Sequence, residues 1–291
     1  LSNLHAYNNG TRGVWIASEG GHLFNNLFCY NNTEAGIYLG FSSKVYVNNA
    51  ACNNNGLQGI SVINCIEDIY VIACMLYSNT MQGLLISGAT MTKWGISNSV
   101  ISNNTTNGID MSVDYGKVDN NMIFGNSRGI SATGKYVEIS GNKIYANQRE
   151  GIFTLCTQSK ISDNHVFANS QMTDNGYANI VLSTGATGNL LNGNRVKTGE
   201  LASKPKYGIQ IVDAASTNSV YDNDIIGSGL TADILDASPT TIRYISIPGI
   251  SVVLTAGNSA PDQNVTVRSV ITTEFLDTRG TSGNWVLFKT D

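Results

Sequence analysis

The chain has 291 residues, of which 13% are charged, and its formal net charge at pH 7 is −4. No run of Lys or Arg is longer than two residues, so nothing in the sequence would neutralise a phosphate backbone. No stretch approaches the roughly 18 consecutive apolar residues that a membrane span requires. We therefore expect neither a nucleic-acid partner nor membrane insertion.

Glycine is abundant and proline is scarce, with 30 and 4 residues respectively. This composition suits short strands joined by tight turns, because Asn and Gly adopt positive φ at little steric cost. Helix-forming residues at a period of 3.6 are missing, which argues against a helical repeat.

One sequence unit recurs along the chain as far as about residue 236. The first Asn of the unit falls at Asn3, Asn26, Asn49, Asn98, Asn121, Asn142, Asn164, Asn194 and Asn223, with Ala73 in its place once. Five residues later come Asn8, Asn31, Asn54, Ser78, Asn103, Asn126, Asn147 and Asn169. A glycine then opens a strand at Gly13, Gly36, Gly59, Gly83, Gly108, Gly129, Gly151 and, after an insertion, Gly208. From Gly13 to Gly151 the steps are 23, 23, 24, 25, 21 and 22 residues, which is too regular for chance.

Each unit is predicted to contain three short strands, because apolar residues alternate there with a period of two. In the strand after the glycine, Ile109 and Met111 should face one way and Asp110 and Ser112 the other. A second strand precedes the first Asn, and a third follows it. Stacked units of this kind form an all-β parallel solenoid, and ten coils at about 4.8 Å each give a rod roughly 45–50 Å long.

The recurring Asn residues are predicted to form a ladder along the rod. A side-chain amide both donates and accepts hydrogen bonds, so stacked Asn residues can bond to one another and to the turn backbone. Asn also tolerates the left-handed conformation that such a corner requires. We therefore interpret these residues as scaffold, and we expect Asn142→Leu to destabilise the fold by about 1–3 kcal/mol.

Units such as NSVISNNTTNGI (98–109) and NHVFANS (164–170) follow the pattern N-x-[IV]-x-x-N with a later Gly-Ile pair. The pattern resembles the right-handed parallel β-helix superfamily, the fold of pectate lyases, phage tailspikes and related polysaccharide-active proteins. The resemblance covers roughly residues 3–236 and implies that fold. It does not choose a chemistry, because the superfamily contains lyases, hydrolases, epimerases and inert spacers.

Two long connections and the C-terminal segment depart from the repeat. The connections 168–179 and 197–208 should lie side by side, either as solvated loops or as one wall of a glycan groove or subunit contact. Residues 237–291 favour β structure of another period, so we predict a parallel β-helix over 1–236 and a small β cap or oligomerisation module over 237–291. Because the chain begins almost at the Asn3 corner and lacks an initiating Met, we expect natural sequence to continue upstream.

Metal and cofactor chemistry have little support in the sequence. The three histidines, His5, His22 and His165, occupy unrelated points of the repeat, and no GxSxG, HExxH or Walker motif occurs. The five cysteines are predicted to be small core fillers, with Cys29, Cys52 and Cys74 at related positions of successive coils. We expect no metal and no cofactor.

Acidic residues are the remaining candidates for catalysis. Outward positions of the strand after the glycine form a column in which Asp110 is the one acid, and Asp114 follows in the next turn. Glu67 and Asp68 occupy the comparable turn two coils earlier. Carboxylates about 5–9.5 Å apart could hydrolyse a glycoside. A lyase would instead need a base and a cation such as Lys93, Lys117 or Lys135.

Aromatic residues in the same column suggest a binding surface. Trp15 and Tyr38 are predicted neighbours that could pack against sugar rings, and Tyr177, Lys204 and Tyr207 in the long connections could extend such a site. Alternatively, the column could be an oligomer contact, since it also carries Leu85, Phe153 and Val181. The oligomer interpretation is the stronger one, because resemblance to tailspikes implies a homotrimer with the rods side by side.

Three functions remain open at this point. The first is an extracellular or virion-associated depolymerase, similar to phage tailspikes, that binds and cleaves bacterial surface polysaccharide. The second is a non-catalytic glycan-binding rod, and the third is a structural spacer whose active part lies in the expected upstream segment. The resemblance favours the first function, by carboxylate-based hydrolysis or by a lyase reaction, whereas the lack of a recognisable catalytic cluster favours the other two.

Overall fold

A computed structural model describes residues 1–18, 20–88, 93–238, 240–247, 250–255, 266–269, 274–277 and 286–289. Most of this chain winds into a right-handed parallel β-helix of about ten coils, as the repeat predicts. Each coil contributes one strand to each of three faces, which we call the first, second and third face. The first corner joins the first face to the second, the second corner leads to the third face, and the third corner leads to the next coil.

The strands are short, and each pairs in parallel with its equivalent one coil away. The first face comprises the start of His22–Tyr30 and then Val45–Asn48, Ile69–Ile72, Trp94–Ser97, Gly116–Asp119, Glu138–Ser140, Lys160–Ser162, Leu190–Asn192, Ser219–Tyr221 and Ile242–Ile247. The second face comprises Ser2–Tyr7, the end of His22–Tyr30, Ala51–Asn53, Met75–Tyr77, Val100–Ser102, Met122–Phe124, Lys143–Tyr145, His165–Phe167 and Arg195–Lys197. The third face comprises Val14–Ile16, Ile37–Gly40, Ile60–Ile63, Leu84–Ser87, Ile109–Ser112, Ile130–Thr133, Ile152–Thr154, Ile180–Leu182, Tyr207–Ile211 and Ala232–Asp236.

The core runs along the axis of the rod. Alternation turns every second strand residue inward, so Ile109 lies between Leu84 and Ile130 in the stack, and all three are 0% exposed. Burying one such side chain stabilises the fold by about 1.5–3 kcal/mol relative to leaving it exposed. Glycine opens the third-face strands for a steric reason: a Cβ on Gly108 would lie 2.7 Å from the Gly129 carbonyl oxygen and 2.9 Å from Asn126 Nδ2.

The cysteines are buried in this core with free thiols. Cys29 and Cys52 pair in register on the second face, as predicted. The prediction was wrong for Cys74, because Leu76 is the residue that pairs with Cys52. Cys74 lies instead at the first corner, where its Sγ accepts a hydrogen bond from the Ala50 backbone N–H, and burial raises its pKa to about 11.

The Asn ladders are present, but the Asn positions predicted as one row belong to two neighbouring rows. Asn98 has φ 52° and is exposed at the first corner, whereas Asn121 points inward one residue further along its coil. The first corner therefore has a left-handed position at Asn3, Asn26, Asn49, Ala73, Asn98, Asn120, Gly141, Asp163, Gly193 and Asp222. The buried ladder at this corner comprises Asn121, Asn142, Asn164, Asn194 and Asn223.

The same correction applies to the second corner. Its ladder, which is buried except at the exposed Asn9, comprises Asn9, Asn32, Asn55, Asn79, Asn104, Asn126, Asn147, Asn169 and Asn179. Asn8, Asn31, Asn54, Ser78 and Asn103 are the left-handed residues that precede it. Most steps of the ladder use both the side-chain and backbone N–H groups, which donate to the same Oδ1 of the next Asn.

Parallel pairing extends to Ile242–Ile247, which pairs with Ser219–Tyr221. Beyond it the pairing becomes antiparallel, with Ile250–Thr255 joining Ile242–Ile247 and Thr266–Ser269 joining Ile250–Thr255. Glu274–Asp277 and Val286–Lys289 form a separate antiparallel pair. The rest of the predicted 237–291 module beyond residue 255 lies outside the described residues.

Candidate functional site

The third face presents a continuous row of outward side chains. Its strands are in register, so Asp110 lies between Leu85 and Ser131 in the row. The full row is Trp15, Tyr38, Ser61, Leu85, Asp110, Ser131, Phe153, Val181, Gln210 and Leu235. The sequence predicted this column as far as Gln210, and the structure places those side chains in that order.

Asp110 lies at the middle of the row and is half-buried. Its Oδ2 accepts hydrogen bonds from Asn107 Nδ2 at 2.9 Å and from Gln82 Nε2 at 3.3 Å. Within the described part of the chain, no side chain or backbone group donates to its other oxygen, Oδ1. One carboxylate oxygen is therefore fixed by neighbouring amides, and the other has lone pairs that no described donor uses.

The residues that hold Asp110 belong to a second row, which we call the flanking row. It lies at the end of the second corner, two positions before the first inward residue of each third-face strand. Its members are Arg12, Ala35, Gln58, Gln82, Asn107, Arg128, Glu150, Ala178 and Tyr207. The sequence analysis missed all of them except Tyr207. The signal was available, because in most units the flanking residue is simply the one before the recurring Gly.

At the N-terminal end of the face, a cation joins the two predicted aromatic residues. The Arg12 guanidinium lies 5.0 Å from the ring centre of Trp15 and 4.2 Å from that of Tyr38. Its Nε lies 3.0 Å from Glu34 Oε2, which fixes the guanidinium between the rings. Trp15 is 63% exposed, so this end offers an aromatic surface together with a positive charge.

At the C-terminal half of the face, a similar cluster surrounds Phe153. The Arg128 guanidinium lies 4.2 Å from the centre of the Phe153 ring, and Arg128 Nε donates to Glu150 Oε2 at 2.7 Å. Arg149 Nη2 lies 3.6 Å from the other Glu150 oxygen, and the Arg149 guanidinium lies 4.9 Å from the Tyr177 ring centre. The Glu150 carboxylate is thus buried between two guanidinium groups, and this half of the face is aromatic and cationic.

The two long connections lie side by side, as predicted, and adjoin this cluster. Asp174 Oδ1 accepts a hydrogen bond from the Lys204 backbone N–H, and Lys206 N donates to Tyr177 O. Tyr177 and Tyr207 therefore flank the third face. Lys204 Nζ instead donates to Gly199 O at 2.6 Å within its own connection.

The other predicted acids lie at the third corner, on the opposite edge of the third face from the flanking row. Asp114 Oδ1 accepts a hydrogen bond from the Lys135 backbone N–H at 2.8 Å, so this carboxylate supports the next coil. Glu67 lies 4.0 Å from Lys44 Nζ, and Asp68 is a left-handed residue with φ 52°. The structure does not bring Asp114, Glu67 or Asp68 to Asp110.

The lysines considered for a lyase also lie away from Asp110. Lys117 projects from the first face and forms ion pairs with Asp119 and Glu138. Lys93 and Lys135 are exposed at the third corner. Within the flanking row, Arg128 is the basic residue nearest to Asp110, one coil after Asn107.

Val181 is only 6% exposed, so it adds little to the apolar surface that the sequence predicts for this column.

Among the described residues, no group of three or more His, Cys, Asp and Glu side chains is arranged to hold a metal ion. The described part of the chain also contains no helix long and apolar enough to cross a membrane.

Comparison with known proteins gives one family and several similar folds. The family model described as the right handed beta helix region matches residues 69–225, more than half of the chain. No curated protein sequence matches the chain.

Three solved structures illustrate the similarity of fold. The A-module of the Azotobacter vinelandii mannuronan C-5 epimerase AlgE4 has a TM-score of 0.61 and 16% identity, over 82% of this chain and 77% of that one. The Dettilon tailspike protein has a TM-score of 0.60 and 14% identity, over 95% and 74%. The alginate lyase from Paenibacillus sp. has a TM-score of 0.56 and 13% identity, over 74% and 86%. At these identities the structures share the fold, and together with the family match they establish that the chain belongs to the right-handed parallel β-helix family.

Proposed function

We propose that this protein binds an extended polysaccharide along its third face and cleaves it at Asp110. The observation that carries the proposal is the placement of Asp110. It is the single acid of an outward row, with one oxygen fixed by Asn107 and Gln82 and the other without a hydrogen-bond donor among the described residues. A carboxylate held in one orientation by its neighbours is suited to accept or donate a proton at a defined point of a substrate.

The surroundings of Asp110 support a sugar polymer as the ligand. Aromatic rings lie on both sides of it, at Trp15 and Tyr38 in one direction and at Phe153 and Tyr177 in the other. The half-buried amides of Gln82 and Asn107 add hydrogen-bonding groups for hydroxyls, and Gln58 supports Gln82 from beneath. Two proteins of similar fold, named as a mannuronan C-5 epimerase and an alginate lyase, support the same substrate class.

Glycoside hydrolysis is the reaction we propose. In such a reaction, Asp110 as general acid would give its proton to the glycosidic oxygen as the bond from that oxygen to the sugar carbon breaks, and water would add to the carbon and lose a proton to a second carboxyl group. Asp114, Glu67 or Asp68 at the third corner could act as the second carboxyl group only on a substrate that crosses the width of the third face. Glu150 lies on the same side as Asp110, but two arginines already bind its carboxylate.

A lyase reaction is the second candidate, and one observation favours it. Arg128 follows Asn107 by one coil and is the basic residue of the flanking row nearest to Asp110, although its guanidinium binds Glu150 and packs on Phe153 one coil further on. A base beside a cation is the pair that proton abstraction from a uronate requires, because the cation stabilises the enolate. In this route Asp110 abstracts the proton, and Arg128 binds the uronate carboxylate.

A tailspike-like role would further place the protein on a virion or outside the cell, as a homotrimer. Support comes from the similarity of fold to the Dettilon tailspike protein. Analytical ultracentrifugation of the chain tests this part directly, since a monomer at micromolar concentration would contradict the trimer.

The function is tested by incubating the chain with a panel of bacterial surface polysaccharides. Two signals are followed together: new reducing ends, and the ultraviolet absorbance of an unsaturated uronate. Reducing ends alone would support hydrolysis, and both signals together would support the lyase reaction. Neither signal on any glycan, combined with retention on a glycan column, would overturn cleavage and leave a binding rod.

A further inference from the structure

The second face carries a surface that the candidate site does not use. Two outward rows run along it. One row is Phe28, Ala51, Met75, Val100, Met122, Lys143, His165 and Arg195, and the other is Tyr30, Asn53, Tyr77, Ser102, Phe124, Tyr145, Phe167 and Lys197. The first half of the first row is apolar, whereas its second half is cationic.

In the second half, three aromatic rings stack along the rod. The ring centres of Phe124 and Tyr145 are 5.0 Å apart with planes within 14°, and those of Tyr145 and Phe167 are 5.2 Å apart with planes within 5°. All three side chains are half-buried, so one side of the stack remains accessible. We call Phe124, Tyr145 and Phe167 the aromatic row.

Beside the aromatic row, three basic side chains lie at successive coil levels. Lys143, His165 and Arg195 pair in register, which places them at intervals of about 4.8 Å. Lys143 Nζ lies 5.3 Å from the Tyr145 ring centre and 5.8 Å from that of Phe167, and the His165 ring lies 4.4 Å from the Phe167 ring. We call these three residues the basic row.

The charge of this surface is opposite to that of the whole molecule. Lys197 adds a further positive charge, and Asp224 is the acid that pairs with both Lys197 and Arg195. With Lys143, Arg195 and Lys197 positive and Asp224 negative, the surface has a net charge of +2, whereas the chain carries −4. The Arg195 side chain remains 64% exposed, so its ion pair with Asp224 leaves most of the guanidinium accessible.

We propose that the aromatic row and the basic row together form a second carbohydrate-binding surface, specific for anionic polysaccharide. Sugar rings would pack on the exposed side of the aromatic stack, and uronate carboxylates would pair with Lys143 and Arg195. Equal spacing of both rows along the rod fits a polymer that runs parallel to the axis. This binding is separate from cleavage on the third face and does not depend on it.

A second copy of the chain is the competing occupant. The neighbouring half of the same face exposes Phe28, Met75, Val100 and Met122 by 41, 48, 36 and 38% respectively, which is typical of a contact between subunits. The charges favour the polysaccharide for the basic half, because two copies meeting there through the same residues would bring like charges together.

The test measures equilibrium binding of the full chain to immobilised polygalacturonate, dextran and single-stranded DNA. Lys143→Gln with Arg195→Gln should weaken polygalacturonate binding about tenfold, and Phe167→Ala about threefold to tenfold. Both effects should shrink as salt screens the exposed charges. Lys160→Gln is the matched control, since Lys160 is an exposed lysine of the same coil as His165 on the first face. Thermal unfolding of each variant confirms that it folds.

Three results would overturn the proposal. The first is equal polygalacturonate affinity for the parent, Lys143→Gln with Arg195→Gln, and Lys160→Gln. The second is DNA binding as tight as polygalacturonate binding, which would show recognition of charge alone. The third is a self-association of the parent that Phe167→Ala abolishes while polygalacturonate binding is unchanged. If one of these variants also lost cleavage, that result would concern the proposed function of the third face and would not change the conclusion from the binding measurement.

Discussion

The second and third faces are built from the same repeat, yet they hold their outward side chains in different ways. On the third face, groups from the flanking row fix the outward residues, as Asn107 and Gln82 do for Asp110. On the second face, like residues stack on one another along the rod, as in the aromatic row. Cross-coil hydrogen bonds give a single orientation to one group, whereas stacking gives a repeated surface with no unique position.

The two arrangements are suited to different functions. Proton transfer requires one group at a defined point, so the third face is suited to chemistry. A polymer that slides along equal sites needs only repeated contacts, so the second face is suited to binding.

The largest effect is expected for Asp110→Asn, which should lower the rate of cleavage by about 10²- to 10⁴-fold. The amide keeps the size of the side chain but cannot carry the proton. Reducing-end release at saturating glycan measures the change. Asp163→Asn is the control, because Asp163 is a left-handed residue of the first corner where Asn is well tolerated. If Asp114→Asn abolished cleavage while Asp110→Asn did not, the reaction would belong to the third corner.

Asn142→Leu should lower the free energy of unfolding by about 1–3 kcal/mol. Asn142 Oδ1 accepts two hydrogen bonds from Asn121, and its Nδ2 donates to Asn164, Val118 O and Ser140 O. Leucine removes these side-chain bonds at the first corner and leaves the buried Asn121 backbone N–H without its acceptor, whereas the Asn142 backbone N–H still donates to Asn164 Oδ1. Chemical denaturation measures the change.

The control for this variant is Gln148→Leu, which replaces an exposed amide just beyond the second corner. It should leave stability nearly unchanged. A parent-like unfolding curve for Asn142→Leu would show that the ladder contributes little.

The fold could be predicted because its signals are repeated. Period-two alternation and a glycine every 21 to 25 residues specify strands and coil length from many independent units. The ladder position was harder to assign, because Asn suits both the left-handed corner and the buried position after it. Asn98 uses the first property and Asn121 the second, and in the sequence they differ only in spacing, with Asn98 ten residues before Gly108 and Asn121 eight before Gly129.

The candidate site was less predictable, because its contacts join residues of different coils. The row that contains Asp110 follows from strand alternation, but its bond to Gln82 crosses 28 positions of sequence. Asp114 has the same carboxylate and lies on the same coil, yet it binds the Lys135 backbone at the other edge of the face. Only the stacking of the coils distinguishes these two acids.

Asn107→Leu should lower kcat about tenfold and change KM little, because it removes a hydrogen bond that orients Asp110 without removing the carboxylate. Initial rates over a range of glycan concentrations separate the two constants. Gln148→Leu again serves as the control for loss of an amide. An increase in KM with unchanged kcat would show that Asn107 binds glycan instead of positioning Asp110.

The smallest effect concerns pH and the second face. Partial burial, Arg195 and Lys143 lower the pKa of His165, with a further contribution from Lys197 and an opposing one from Asp224. The imidazole in the folded protein therefore takes up its proton at a lower pH than a free imidazole does. A bound carboxylate favours the charged imidazole, so affinity for polygalacturonate should rise about twofold to threefold between pH 7 and pH 5. His165→Gln should abolish that rise while Lys160→Gln keeps it. A parent affinity independent of pH would mean that no anion binds beside His165.

Stability should change with pH in the opposite direction to affinity. Because the pKa of His165 is lowered in the folded state, protonation favours the unfolded chain, so stability is retained above about pH 6.5 and falls as the pH drops further.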